Sequence, residues 1–388
     1  MNMKFLVIGL MTSVAFSAVA AAMDDNAAHI RGATEKKPSP NIQVALHNEE
    51  RTANITSASH QDEDDNQTEE IKQTHRAYVG ENITVRTKFE DTLLELAREH
   101  NVGYVALVAA NPGVDPFLPG EDREILIPKR TIIPDVPREG IVINLAEMRM
   151  YSFLEDANNP TIYPIGIGRD GLNTPLGVTK ITRKAEGPSW RPTERMRKEN
   201  PDLPAVVPAG EDNPLGTHAL YLGWPAYLIH GTNKPLGVGR RVSSGCIRMY
   251  PEDIVKVFGN VPVGTQVRVI KEPVKLAWID GTLYLEAHAE DELADSYEEF
   301  GKIKEYKVPP TLFSDLEKIA GDKKDQLDWN AIRAALKRRS GMPVPILLEE
   351  GKTLLSDGEI TEDILKKEPD LPSEPAPKVT RQTRGFNS

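Results

Sequence analysis

Ser243-Ser244-Gly245-Cys246-Ile247-Arg248, preceded by Leu228-Ile229-His230-Gly231-Thr232-Asn233, is the stretch on which the reading of this chain turns. Cys246 is the only cysteine among 388 residues, so it has no disulfide partner within its own chain. Small residues stand beside it, and a histidine ends the apolar segment before it. A thiolate nucleophile and its general base have this composition: sulfur supplies the electron pair and imidazole takes the proton. The plainer alternative is a free cysteine packed as a small hydrophobe. Gly245 before it and Arg248 after it do not suit a plain core strand.

The start of the chain bears on that thiol. Lys4 is followed by an apolar stretch from Phe5 to Phe16 and by small residues up to Ala22. This is the pattern of a secretory signal peptide, and the apolar part is shorter than the ~20 residues a spanning helix needs. The expectation is export with cleavage after Ala20 or Ala22. Exported proteins use cysteines mainly as disulfides. A single free thiol in such a compartment suggests use, and it would depend on a periplasmic thiol reductant to stay reduced.

Charge and histidine placement exclude other classes. A formal net charge of −11 gives no basic field for nucleic acid. The 8 histidines are scattered, which does not make a zinc site, and a dithiol redox motif needs a second cysteine. The 30 prolines point to many strand ends and loops rather than a helical bundle.

Along the chain, residues 23–80 are polar and poor in aromatics, which predicts a disordered tether. Residues 81–134 read as strand, two helices and strand: Asn82–Thr87, a helix capped by Asp91, a helix near Val105–Ala109, and Glu124–Pro128. From Gly140 to Ile270 short strands alternate with glycine and proline, as in a β-sandwich or barrel. One helix is expected from Pro251, where proline and two acids suit a first turn. Residues 272–346 hold one strand at Gly281–Glu286 and helices at Pro310–Ala320 and Asp328–Arg339, the latter ended by Gly341. Residues 347–388 read as a disordered tail.

Two resemblances follow from these motifs. Asp91-Thr92-Leu93, Asn111-Pro112 and Ile127-Pro128 resemble steps of the glycan-binding LysM module. His230-Gly231-Thr232 with Ser243-Ser244-Gly245-Cys246-Ile247-Arg248, and the turn Thr174-Pro175-Leu176-Gly177, resemble the signature of the L,D-transpeptidases, in their ErfK/YbiS-like branch. The likeness covers about residues 80–346. Ser244 stands where many members carry a second histidine.

The resemblance implies a mainly β fold: a YkuD-like β-sandwich over residues 138–271, a small βααβ LysM-like module before it and a small α-containing extension after it. It implies an enzyme that moves an acyl group of a peptidoglycan tetrapeptide stem onto an amine, releasing D-alanine, without cofactor or metal. The acceptor is a second stem or an outer-membrane lipoprotein. Cys246 would be the nucleophile and His230 its base, the carbonyl of Gly231 orienting the ring. The N–H groups of Gly245 and Cys246, beside Ser244, would form the oxyanion hole. Arg248 and Ser243 would meet substrate. His218 is a rival base. A peptidoglycan hydrolase or carboxypeptidase on the same fold, or a non-enzymatic wall-binding scaffold, remain as alternatives at this stage.

Overall fold

The computed structural model describes residues 76–289, 292–300, 308 and 310–348. The expected signal peptide, most of the tether and nearly all of the tail lie outside the described residues. Order begins earlier than the tether boundary at residue 80. Strand β1 (Tyr78–Val79) pairs antiparallel with β4 (Thr131–Ile132), because Val79 has an apolar surface to cover.

The βααβ module comes next. Strand β2 (Ile83–Arg86) pairs with β3 (Glu124–Ile127), and helices Leu93–Glu99 and Tyr104–Ala110 lie between them. The first helix is capped by Thr92 rather than Asp91. Thr92 Oγ1 accepts the Glu95 N–H, which satisfies an orphan donor, and donates to the Glu95 carboxylate. Asp91 instead accepts the Lys88 N–H at 2.7 Å.

Residues 141–270 are built on one eight-stranded sheet. Its strands in chain order are β5 (Ile141–Asn144), β6 (Arg149–Ser152), β7 (Thr161–Pro164), β9 (Gly177–Glu186), β10 (His218–Leu222), β11 (Leu228–His230), β13 (Ile247–Arg248) and β14 (Gln266–Ile270). Their spatial order is β13-β11-β10-β9-β14-β5-β6-β7. Strands β8 (Ile167–Gly168) and β12 (Arg241–Ser243) form a separate parallel pair. The run read as one strand at Tyr163–Gly168 is therefore two, divided at Ile165-Gly166. At that break Gly166 bridges to Arg248, so the sheet curls until its two ends meet. The result is mainly β, as expected.

Strand β5 shows why the sheet is buried on both faces. Ile141 and Ile143 enter the main core, while Val142 packs with Tyr151 and Phe153 on the other side. The helix Pro251–Asn260 starts on proline with Glu252 and Asp253 in its first turn, and it buries Ile254 and Val257. Leu93 and Leu96 of the module, Ile229 and Ile247 of the sheet, and Tyr297 of the C-terminal region all belong to one apolar cluster. Each such fully buried side chain contributes about 1.5–3 kcal/mol. Arg98 grips Glu252 with two bonds at 3.1 and 3.0 Å, and the Tyr250 hydroxyl donates to the Val102 carbonyl. Gly239 has φ +76° and its α-carbon side abuts the backbone of Gly103 and Tyr104, where any Cβ would collide. The module is thus welded to the catalytic sheet.

After the sheet, β15 (Val274–Ile279), β16 (Thr282–Ala287) and β17 (Val344–Pro345) form an antiparallel sheet covered by helices Pro310–Ala320 and Trp329–Arg338. The sequence reading missed β15 and the helix Glu292–Phe300. The helix Trp329–Arg338 is capped by Asp328, but Arg339, in the left-handed region at φ 47°, ends it ahead of Gly341.

A buried polar cluster joins the three parts. Lys275 Nζ lies 2.8 Å from Glu147 Oε2, 3.0 Å from Glu286 Oε1, 2.8 Å from Thr131 Oγ1 and 2.6 Å from the Ile132 carbonyl. Burial opposes the charge on Lys275, but the two carboxylates outweigh it and hold its pKa above the usual lysine value. Glu147, Glu286 and His288 have metal-ligand chemistry, yet the lysine ammonium already fills the cation position. Removing one partner of such a cluster strands buried charge. Lys275→Ala is expected to cost about 3–5 kcal/mol, read as a lowered urea midpoint.

Glu272 gives a pH signature. Burial pushes its carboxyl from 4.5 up to about 8, although Lys275 pulls it down, and its Oε2 has no hydrogen-bond partner among the described residues. The folded pKa exceeds the unfolded one, so the unfolded chain sheds this proton first. Its effect on stability is absent below pH 4.5 and turns unfavourable as pH rises toward 8. Glu272→Gln should match the natural protein in denaturant at pH 4. It should exceed it progressively up to pH 8, by at most about 1.4 kcal/mol per pH unit.

Candidate active site

From Arg241 to Met249 burial alternates residue by residue. Arg241, Ser243, Gly245, Ile247 and Met249 are buried, while Val242, Ser244, Cys246 and Arg248 are half-buried. An extended chain turns successive side chains to opposite faces, so Cys246 and Arg248 share the accessible one. Strand β11 runs parallel to β13 with Ile229 opposite Ile247 and His230 opposite Arg248. Pairing thus brings His230 to the face of Cys246, one residue pair further along.

The buried His230 has Nδ1 2.6 Å from the Gly231 carbonyl oxygen. A carbonyl only accepts, so Nδ1 carries the hydrogen and Nε2 keeps its lone pair. Burial, and then the charge of Arg248, lower the imidazole pKa to about 4 against the pull of the Gly231 and Leu215 carbonyls. Burial raises the Cys246 thiol above its ordinary value, partly offset by the Leu228 backbone and by Arg248. The resting pair is a neutral thiol and a neutral imidazole. No imidazolium stands beside the thiol in this state to lower its pKa. Cys246 Sγ points its hydrogen at the Ala226 carbonyl, 3.4 Å away.

Two residues take roles different from those the motif implied. Ser243 is buried and does not face a substrate. Its Oγ donates to the Cys246 carbonyl at 2.5 Å and accepts the Gly245 N–H at 3.1 Å. The Gly245 N–H is therefore already engaged and does not point into an oxyanion hole, which leaves the Cys246 N–H of the expected pair. Gly245 has φ +104°, and a Cβ there would lie 2.9 Å from the Tyr227 ring, so the loop needs glycine. Ser244 is half-buried on the open face between them. His218 sits beside Ala219, the residue paired with His230, so its side chain leaves the sheet on the opposite face. Its ring packs tilted against Phe258, with centroids 4.5 Å apart.

The sequence reading also missed two supports. The buried Thr174 hydroxyl donates to the Gly245 carbonyl at 2.8 Å, which ties the Thr174-Pro175-Leu176-Gly177 turn to the nucleophile loop. That turn was visible as a motif. The Ala226 carbonyl, on a backbone at φ 67°, had no sequence signal. Arg248, by contrast, has no carboxylate within ion-pair distance among the described residues, and its Nε is buried without a partner.

A curled sheet presenting an imidazole and a thiol on one face is an arrangement open to nucleophilic chemistry. Comparison with known proteins gives the family. The YkuD L,D-transpeptidase catalytic domain matches residues 138–269. The chain is 43% identical over 276 residues to the probable L,D-transpeptidase ErfK/SrfK of Escherichia coli K12, covering 69% of this chain and 87% of that protein. It is 44% identical over 274 residues to the probable L,D-transpeptidase YbiS of the same organism, at the same coverage of 69% and 87%. The chain belongs to the L,D-transpeptidase family, and it is an enzyme of that type.

With the histidine pKa near 4, the acid limb of thiol acylation reports on His230 in the free enzyme. The second-order rate of acylation should hold down to about pH 5 and fall only near pH 4. A limb at pH 6.5 would mean that the imidazole is solvated and freely protonated.

Proposed function

We propose that the protein is an exported, periplasmic L,D-transpeptidase of peptidoglycan acting through a Cys246 acyl-enzyme. The observation that carries this is the parallel pairing of β11 with β13, which sets His230 and Cys246 on one face with Nε2 unprotonated. The thiol proton passes to His230 Nε2 as Sγ bonds the carbonyl carbon of the tetrapeptide's third residue. The bond to the terminal D-alanine breaks, and its amine leaves with the proton from His230. A low imidazolium pKa makes that histidine a strong acid toward the leaving amine. The carbon–sulfur bond is then exchanged for a bond to the acceptor amine, and the thiol recovers its proton. The acceptor is a second stem or a lipoprotein side chain.

The carbonyl of Gly231 orients His230, and the Cys246 N–H stabilises the oxyanion. Ser243 braces the loop that presents it. Ser244 lies on the open face, and Arg248 supplies the positive charge that faces the developing anion. The module at residues 81–134 acts as a LysM-like glycan holder. A signal peptide delivers the chain, and a periplasmic thiol reductant keeps Cys246 reduced. Among the described residues no helix is long and apolar enough to cross a membrane.

A carbapenem is the test, since its strained carbonyl reports on the nucleophile directly. Intact-mass spectrometry should show one adduct on the natural protein and none on Cys246→Ala. His230→Ala should slow adduct formation by about 10²–10⁴-fold. An adduct that survives in Cys246→Ala would overturn the assignment.

A further inference from the structure

Strand β12 (Arg241–Ser243) leads directly into the nucleophile loop, and its backbone ladder holds it on one side only. It pairs parallel with β8, and among the described residues no strand lies along its other edge. The pairing also shifts register between Arg241 and Ser243, so the ladder alone does not fix where Ser243 sits. Arg241 and Ser243 turn to the same buried face of the strand. Ser243 is the residue whose hydroxyl braces the Gly245 N–H and the Cys246 carbonyl. A restraint on Arg241 is therefore passed to the loop that presents the thiol.

The helix Glu292–Phe300, in the region after the sheet, supplies that restraint. Ala294 and Tyr297, three residues apart, are buried in the main apolar cluster. Asp295 and Glu298 repeat the spacing one position on and share the neighbouring face of the helix. Asp295 Oδ2 lies 2.7 Å from Nη1 of Arg241, whose side chain is only 5% exposed. Glu298 Oε1 pairs with Arg240 Nη2. Consecutive arginines ahead of the loop are thus taken by two acids about one helical turn apart. The helix is itself fixed from elsewhere: the Tyr297 hydroxyl donates to the Arg338 carbonyl at 2.5 Å, at the end of the helix Trp329–Arg338. The Arg240 guanidinium also lies 5.7 Å from the centre of the Tyr104 ring, at the start of the module's second helix. A charge-assisted bond to a buried guanidinium is strong and directional, unlike an exposed ion pair.

We propose that Asp295 and Glu298 are positioning residues for acyl transfer. Through Arg241 and Arg240 they hold β12, and with it the Ser243 brace, so that Cys246 Sγ and the Cys246 N–H meet the acyl carbon and its oxygen in register. The proposal rests on the Cys246 acyl-enzyme reading above. The two acids neither give nor take a proton in the reaction; they set geometry. A misplacement of roughly 1 Å at the reacting atoms costs on the order of 10²-fold in rate. On this reading the region after the sheet has a part in the reaction although its acids pair with β12 and not with the reacting groups.

The test uses the full chain and a carbapenem, and it separates the acylation rate at saturation from the concentration that half-saturates it. Asp295→Asn/Glu298→Gln removes both charges and keeps size and shape. Acylation at saturation should slow by about tenfold or more, while half-saturation moves by less than about twofold. Ile332→Val trims the fully buried core of the C-terminal cluster. It should lower the urea midpoint and leave acylation at the natural rate. Glu298→Gln alone keeps Asp295 beside Arg241 and carries the test if the double variant does not fold, with an expected loss of about threefold. A natural rate in the neutralised variants, or a change confined to half-saturation, would overturn the positioning role. So would a loss in Ile332→Val as large as theirs. Failure of the natural protein itself to form the adduct would remove the acyl-enzyme reading, and the positioning role with it.

Discussion

Arg248 is held by backbone pairing on both sides. Its N–H and carbonyl exchange bonds with Gly166 at 2.9 and 2.8 Å, and on the other side it lies opposite His230 in the parallel ladder. A strand at a sheet edge leaves a row of polar groups unpaired, which is costly when that edge is buried. Here the curl of the sheet brings the connection after β7 round to satisfy it. The run Ile247–Arg248 is therefore clamped between two segments that are distant in the chain. Its position follows from closure of the sheet, and the side-chain bonds of Ser243 and Thr174 then refine the loop.

That clamp has an electrostatic consequence. Among the described residues Arg248 has no carboxylate partner, and its charge reaches both Cys246 and His230. It favours the thiolate and disfavours the imidazolium. Burial adds to the second effect and opposes the first. The thiol and the imidazole thus rest uncharged at neutral pH beside a fixed positive charge. Preorganised positive charge near a developing oxyanion stabilises the transition state more than the resting state.

The lysine-centred cluster does for the whole assembly what the ladder does for the site. Two cations, Lys275 and Arg149, meet two carboxylates, Glu147 and Glu286, with the Tyr151 hydroxyl donating to Glu147. Glu147 and Glu286 are held below the usual carboxylate range: burial opposes their charge, and Lys275 outweighs it. Apolar packing alone tolerates sliding, whereas these bonds have one satisfied arrangement. These bonds fix the relation of module, sheet and C-terminal region.

The sequence by itself determined the family and most of the local elements. One cysteine after a histidine, the glycine before it, and the proline and acids at Pro251 are all short-range signals, and their physical causes are local. Residues whose role depends on distant partners were not legible. Ser243 read as substrate-facing because its buried partners, the Cys246 carbonyl and the Gly245 N–H, depend on the turn of the loop. Strand β15 was missed because buried Lys275 breaks its apolar pattern, and that lysine makes sense only once Glu147 and Glu286 are beside it. The resting protonation of His230 and Cys246 was likewise decided by the tertiary structure. Burial and the nearness of Arg248 set it, and both arise from strand pairing between segments that no local pattern connects.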